Sequence, residues 1–209
     1  MELNPQGLVP VLHYKDANID KVLTESGPIV QFLLELYPSH LSPDLGSASD
    51  TAYFRYRMNW FVDTYFTKVN PYMFKMVGAV DKEEQVKKME EMMLEVEKIE
   101  PLLKTDGGPY FGGRKEMTYV EVSAIVSMRV AETDLGKAMT IPFFMRLYDW
   151  SDDAIWPKEV AERLDKLPNL SKWAKHCMKQ GSVTYVYPEG LRERVQERLP
   201  EAKKKYANV

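Results

Sequence analysis

Cysteine and histidine are scarce in this 209-residue chain, which has one cysteine, Cys177, and three histidines. A single thiol cannot form an internal disulfide, which fits a reducing compartment. His13, His40 and His176 lack the spacing typical of zinc ligands. We therefore assign no metal. Cys177 receives no catalytic role, because nothing in the sequence around it supplies an activating base.

Long apolar runs and an excess of one charge are also missing. No stretch is apolar enough to cross a bilayer, and the N-terminus lacks the pattern of a signal peptide. The net charge is −3, with acidic and basic residues interspersed, so nothing indicates a nucleic-acid partner. We expect a cytoplasmic protein whose partners include neither nucleic acid nor membrane. Its length allows two modest domains.

Residues 4–12, Asn-Pro-Gln-Gly-Leu-Val-Pro-Val-Leu, predict a loop that continues as a strand. A second strand is predicted near 19–23, and a turn at 15–18 joins the two as a hairpin. Pro10 stands inside the apolar run although proline cannot donate to a sheet ladder. A cis peptide bond between Val9 and Pro10 is one reason for it, since this bond would turn backbone groups of Val9 out of the sheet.

The next motif, Thr24-Glu-Ser-Gly-Pro-Ile29, predicts the start of a helix that ends near Tyr37. Ser26 is a suitable cap, and Pro28 suits the first turn. A helix start presents N–H groups and partial positive charge, which favour a carboxylate ligand. Two interpretations stay open on spacing alone. The segment is either a cradle for an extended peptide with an acidic end, or a small βα unit in which Glu25 and Ser26 merely begin a helix.

These motifs, in this order, resemble the second half of the thioredoxin-like domain of cytosolic glutathione transferases of the fungal or bacterial type. The resemblance implies that Val9 and Pro10 pair their backbone with the cysteinyl part of glutathione. It also implies that Glu25 and Ser26 hold the γ-glutamyl carboxylate. Glutathione would then be a substrate and an apolar electrophile the second one. A homodimer and a role in detoxification are further expectations from the resemblance.

The family carries its catalytic tyrosine, serine or cysteine on a strand that precedes the Asn-Pro-x-Gly loop, whereas this chain begins three residues before Asn4. We therefore leave the catalytic residue unknown. Three explanations stay open: a missing N-terminal piece, a short relative that binds without catalysis, or a partner subunit that covers the gap. Two functions remain accordingly. One is conjugation of glutathione thiolate to apolar electrophiles, and the other is a non-catalytic glutathione-binding or protein-assembly module.

Helical periodicity dominates the rest of the chain. The expected fold class is α+β, mostly α. It comprises a truncated thioredoxin-like domain at 1–38, a turn-rich linker at 39–50, and an all-helical domain of the glutathione transferase type at 51–209. The first domain should have an open sheet edge and uncovered apolar surface.

Apolar spacing predicts helices near 51–77, 81–103, 118–135, 158–167, 167–181 and 188–207, and a helix or loop at 140–148. Pro71 should end or kink the first of them. Asp81 with Glu84, and Thr118 with Glu121, are predicted capping pairs at the starts of two others.

An aromatic stripe follows the first long helix of the second domain, and we expect Trp60 and Phe61 to face inward. It indicates a second-substrate pocket, for which the candidate residues are Tyr53, Arg57, Trp60 and Tyr110. The alternative is that the stripe is core or dimer interface, which is the more frequent role of such a pattern.

Overall fold

The computed structural model describes residues 10–104, 107–125, 143–181 and 190–207. The chain divides into two compact units, Met1–Pro43 and Asp44–Val209. The first contains a strand hairpin and a helix, and the second consists of helices. This confirms the expected α+β, mostly helical class. The assignment of 39–50 as a linker stays a prediction.

The first unit begins with the predicted hairpin. Strand β1 (Val11–Lys15) pairs antiparallel with β2 (Asp20–Thr24), and Val11 lies opposite Thr24. The carboxylate of Asp16 closes the turn, because its Oδ1 accepts the N–H groups of Asn18 and Ile19 at 2.7 and 2.8 Å. These bonds hold the pKa of Asp16 below its usual value.

Helix α1 (Ser26–Leu36) follows β2 directly and packs on the hairpin through Phe32, whose ring meets the edge of Tyr14 at 4.9 Å. Of the large apolar side chains described in this unit, Ile29 is the one that is buried. Several others remain solvent-exposed: Ile19, Val22, Leu36 and Tyr37. The expected uncovered apolar surface is therefore present on the described residues of the first unit.

The second unit opens with α2 (Ala48–Thr64), capped by Ser47, whose side chain accepts the N–H of Asp50. The helix predicted over 51–77 is interrupted next to Pro71, as expected. A π-helical turn (Tyr65–Val69), which was not predicted, follows α2, and α3 (Pro71–Gly78) comes after it. Pro71 begins α3, because a proline in the first turn lacks only an N–H that would have no intrahelical partner.

Helix α4 (Lys82–Ile99) confirms the first capping pair. Asp81 Oδ1 accepts the N–H of Glu84 at 2.8 Å, and Glu84 Oε2 accepts the N–H of Val80 at 2.8 Å. A 3₁₀ turn (Glu100–Leu103) continues the helix. Its apolar stripe is fully buried and rich in methionine: Met89, Met92, Met93, Val96 and Ile99.

The remaining described elements are a 3₁₀ turn (Phe111–Gly113), α5 (Tyr119–Ile125), α6 (Phe143–Asp149), α7 (Glu159–Asp165), α8 (Pro168–Cys177) and α9 (Leu191–Tyr206). Parts of the elements predicted at 118–135, 140–148 and 188–207 fall at 126–142 and 188–189, outside the described residues.

A buried carboxylate joins several of these elements. Glu121, in the first turn of α5, has no solvent exposure. Its Oε2 accepts the backbone N–H and the hydroxyl of Thr118, at 2.6 and 2.7 Å. The Thr118 hydroxyl in turn accepts the N–H of Val120 at 3.2 Å. The predicted pair of Thr118 and Glu121 is therefore confirmed as a reciprocal cap.

The other oxygen of Glu121 reaches beyond α5. Oε1 accepts the N–H of Phe111 and the indole N–H of Trp173, each at 2.7 Å. The ring of Phe61 lies 5.8 Å from that of Phe111 and 5.9 Å from that of Trp173. Four donors at the positive end of a helix offset the cost of burying the charge. The carboxylate thus fixes α5 and α8 around one aromatic cluster.

We predict that Glu121→Gln lowers the free energy of unfolding by about 3 kcal/mol, because donors that now share two carboxylate oxygens lose acceptors inside the protein. Trp173→Phe removes a single donor and should lower it by about 1–2 kcal/mol. Urea unfolding followed by circular dichroism measures both changes. The control is Glu97→Gln, at an exposed ion pair with Arg163. A change at Glu121 no larger than at Glu97 would refute the structural role.

Helix α9 approaches α3 closely at Gly78, where a Cβ atom would overlap the backbone carbonyl of Tyr206. We predict that Gly78→Ala destabilises the protein by about 1–3 kcal/mol and loosens α9, although alanine favours helices. Hydrogen exchange of 191–206 and thermal unfolding provide the measurements. Gly181→Ala is the matched control, since a Cβ there meets no atom within 4 Å. Unchanged exchange in α9 would contradict this contact.

Candidate functional site

The hairpin register brings the two halves of the predicted glutathione site to one end of the first unit. Val11 pairs with Thr24, so Pro10 and Glu25 each stand one residue beyond the same end of the ladder. Pro10 is half-buried there. Val9, and with it the Val9–Pro10 peptide bond, lies outside the described residues.

Glu25 has an unusual backbone conformation at this end. Its φ is 69° and its ψ is 117°, a combination rarely adopted by residues with a side chain. A residue held in such a region costs on the order of 1–3 kcal/mol, and these residues cluster at functional sites. The strain therefore makes the junction between β2 and α1 a candidate position for a functional role.

The prediction that Ser26 caps α1 is wrong by one residue. Glu25 occupies the cap position without a side-chain hydrogen bond to the helix, and Ser26 is the first helical residue. Ile29 donates its N–H to the carbonyl of Glu25 at 3.0 Å, and Pro28 has no N–H. The donors at this end are thus the N–H groups of Ser26 and Gly27. The space beside Gly27 is open, since a Cβ there would meet no atom within 4 Å.

The hairpin and α1 carry three hydroxyl groups: Tyr14 beside the hairpin turn, and Thr24 and Ser26 at the start of α1. Tyr14 donates its hydroxyl to Asp16 Oδ2 at 2.9 Å, and this bond raises the pKa of Tyr14. Its proton is therefore held by a carboxylate. Thr24 is exposed at the end of β2, and Ser26 is half-buried. Among the described residues of the first unit, none of these three hydroxyls is positioned by a basic group.

The predicted second-substrate residues fall on different sides of α2. Tyr53 is 64% exposed and Trp60 is 44% exposed. The expectation that Trp60 faces inward is therefore wrong, whereas Phe61 is fully buried as expected. Tyr53 and Trp60 are seven residues apart and so share one face, while Phe54 and Phe61 share the neighbouring inner face.

Arg57, which is half-buried, and Tyr110, which is buried, instead contact the interior of the second unit. Arg57 donates to the carbonyl of Leu102 at 3.1 Å, and its guanidinium lies 5.6 Å from the ring centre of Phe111. Tyr110 is buried against the edge of His176, and burial raises the pKa of its hydroxyl. A single pocket formed by the four predicted residues stays a prediction.

Other candidate chemistries find no support on the described residues. Cys177 is buried, and both burial and the nearby Glu121 raise the pKa of its thiol, which keeps it protonated. Within the described ranges, His, Cys, Asp and Glu side chains form no group that could hold a metal ion. No described helix combines the length and the apolar character needed to span a bilayer.

Sequence reasoning missed two features of the structure. The strained conformation of Glu25 could not be predicted, because glutamate rarely adopts a positive φ. The bond from Trp173 to Glu121 joins residues 52 positions apart, and no local pattern predicts it.

Comparison with known proteins places this geometry in a known fold. No family model matches the chain, and no curated protein matches it in sequence. Glutathione transferase Omega 3C from Trametes versicolor superposes with a TM-score of 0.63 and 19% identity, covering 98% of this chain and 74% of that chain. Rice GST1 (OsGSTU1), solved in complex with glutathione, has a TM-score of 0.62 and 24% identity, covering 90% and 72%.

Both structures cover nearly all of this chain, across the hairpin unit and the helical unit. The expected resemblance to glutathione transferases is thus confirmed at the level of the fold. The chain has the fold of the glutathione transferases.

Proposed function

We propose that this protein binds glutathione at the end of the first unit formed by Pro10, Glu25 and Ser26, and acts as a glutathione transferase-like protein. The observation that carries the proposal is the strained Glu25 at the start of α1. It places an acidic residue directly before the first N–H groups of α1, at one end of the hairpin. The fold and the bound glutathione of the rice protein support this choice of ligand.

The chemistry of glutathione fits this arrangement. Its γ-glutamyl end carries a carboxylate and an ammonium group on the same carbon. The N–H groups of Ser26 and Gly27 and the Ser26 hydroxyl suit the carboxylate, aided by the positive end of α1. The carboxylate of Glu25 suits the ammonium. The extended peptide backbone of the ligand would then run toward the β1 end, where the prediction assigns pairing to Val9 and Pro10.

Conjugation is the reaction this scaffold would perform. The glutathione thiolate attacks an electrophilic carbon of an apolar substrate, a carbon–sulfur bond forms, and the leaving group or a protonated adduct departs. This step requires a group that lowers the pKa of the thiol. A homodimer, a cytoplasmic location and a role in detoxification complete the proposal.

A second candidate function is glutathione binding without conjugation, or assembly with another protein on the same scaffold. The position of Tyr14 favours it, because this hydroxyl lies near the hairpin turn, away from Pro10 and Glu25, and donates to Asp16 rather than to a ligand at the site. In this case the site formed by Pro10, Glu25 and Ser26 would bind glutathione without a chemical step.

Glutathione binding tests the site directly. Calorimetric titration should give a saturable isotherm, and Ser26→Ala should weaken it roughly tenfold, as expected for the loss of one hydrogen bond to a charged group. Ser49→Ala near the start of α2 is the matched control and should leave the affinity unchanged. Equal affinity for the Ser26 variant and the parent protein would reject the proposed contact.

Replacing the strained Glu25 should change the free energy of unfolding and the affinity for glutathione in opposite directions. Glycine adopts positive φ without strain, so Glu25→Gly should raise the free energy of unfolding by about 1 kcal/mol while it weakens glutathione binding. Glu35→Gly, inside α1, should instead lower stability by about 1 kcal/mol. Thermal unfolding and calorimetry report the two effects. A Glu25→Gly protein that is destabilised, yet binds as before, would contradict the functional reading of the strain.

Turnover distinguishes the two candidate functions. The transferase predicts glutathione-dependent conjugation of 1-chloro-2,4-dinitrobenzene that is lost together with binding in Ser26→Ala. Retention on immobilised glutathione without turnover would select the binding module. Absence of both would exclude the proposed function.

A further inference from the structure

Helix α1 lacks the local features that stabilise a short helix. It has 11 residues, and isolated helices shorter than about 12–15 residues are marginal in water. In the described part of the chain, Glu25 occupies its cap position without a side-chain hydrogen bond to the helix, and its first turn contains no acidic residue. Its last turn contains Glu35 and no basic residue, so the charge there opposes the helix dipole.

Helix α4 has each of the features that α1 lacks. Asp81 caps it through a side-chain hydrogen bond, Glu83 and Glu84 lie in its first turn, and Lys98 lies in its last turn. A cap and favourable terminal charges together decide whether a marginal helix forms. The same chain therefore contains one helix that is stabilised locally at both ends and one that is stabilised at neither.

Packing in the first unit does not make up for the missing caps. Over residues 10–36, Ile29 is the one residue that is buried. The ring of Phe32 on α1 meets that of Tyr14 on a two-stranded hairpin, and such a hairpin is itself marginally stable in water. The strained backbone of Glu25 adds to the free energy of this ordered arrangement. The folded hairpin and α1 therefore lie close in free energy to locally unfolded forms.

We propose that glutathione supplies the missing cap of α1, so that ligand binding and the ordering of the first unit are coupled. The inference rests on the proposed function, because the γ-glutamyl carboxylate at the N–H groups of Ser26 and Gly27 takes the place of a capping side chain. Without glutathione, α1 is folded in only part of the population, and the ligand shifts that population toward the folded form. The apparent affinity is then the intrinsic affinity reduced by the folded fraction.

Two substitutions of Glu35 test this coupling away from the ligand. Glu35 is exposed and lies roughly 13 Å along the helix axis from Ser26. Glu35→Ala and Glu35→Gly remove the same charge, but alanine favours a helix far more than glycine does. Calorimetric titration should therefore give a glutathione dissociation constant about three- to fivefold larger for Glu35→Gly than for Glu35→Ala. The matched control pair is Glu97→Ala and Glu97→Gly near the end of α4, and these two variants should bind glutathione equally.

Hydrogen exchange measures the ordering directly. At a glutathione concentration 100 times the dissociation constant, the amides of residues 30–36 should exchange about 100-fold more slowly than in the free protein. Binding suppresses the unfolded form by that factor, and the effect reaches the end of α1 far from the ligand. The amides of α4 should exchange at the same rate with and without glutathione.

The outcomes separate this inference from the proposed function. Saturable binding by the parent protein, with equal affinities for Glu35→Ala and Glu35→Gly, would overturn the coupling and leave the glutathione site intact. Exchange in free α1 as slow as in α4 would overturn the coupling as well. If Glu35→Gly binds too weakly to titrate, Glu35→Ser provides the comparison, since serine lies between alanine and glycine in helix propensity. Absence of binding by the parent protein would reject the proposed function and this inference with it.

Discussion

The second unit depends on one buried carboxylate. Glu121 accepts hydrogen bonds from Thr118, Phe111 and Trp173, so a single side chain starts α5 and attaches it to two other elements. Such an arrangement loses stability with each donor that is removed, because a buried charge with a missing partner is costly. The aromatic cluster around it then fixes the inner face of α2 through Phe61. The orientation of the outer face of α2, with its exposed aromatic residues, follows from that packing.

The first unit differs from the second, whose core is organised around a buried, hydrogen-bonded carboxylate. It buries little apolar surface in its described residues, and its most unusual feature is a strained backbone at Glu25 rather than a satisfied network. Strain of this kind persists only when the surrounding chain imposes it. Here β2 ends at Thr24 and α1 begins at Ser26, which leaves one residue to make the whole change of direction. The space beside Gly27 at the start of α1 is open, so the strained residue and the proposed binding site lie at one position.

Local patterns predicted much of this molecule. The hairpin, α1, and the caps at Asp81 and Thr118 follow from turn residues, apolar spacing and side-chain oxygens that act within a few residues. The order of the proline-containing and Glu-Ser motifs predicted the fold. The interruption expected at Pro71 is present, but the sequence did not predict the π-helical turn before it or that Pro71 would begin the next helix.

What the sequence could not supply depends on contacts between distant residues. Trp60 and Phe61 are both large aromatic residues, so the sequence does not distinguish them. The contacts of Phe61 with Phe111 and Trp173 bury it, whereas Trp60 remains exposed. Likewise, Tyr53 and Arg57 looked equivalent as pocket residues, but Arg57 is drawn inward by the carbonyl of Leu102. The positive φ of Glu25 comes from the single-residue connection, which residue type alone does not reveal.

The central claim is that the start of α1 receives the acidic end of glutathione. Selective ¹⁵N labelling of the 11 glycines allows this to be observed at one atom. In a glutathione titration, the amide resonance of Gly27 should shift and saturate, while that of Gly46, in the second unit, stays fixed. A Gly27 resonance that does not move at glutathione concentrations that saturate the protein would contradict the account.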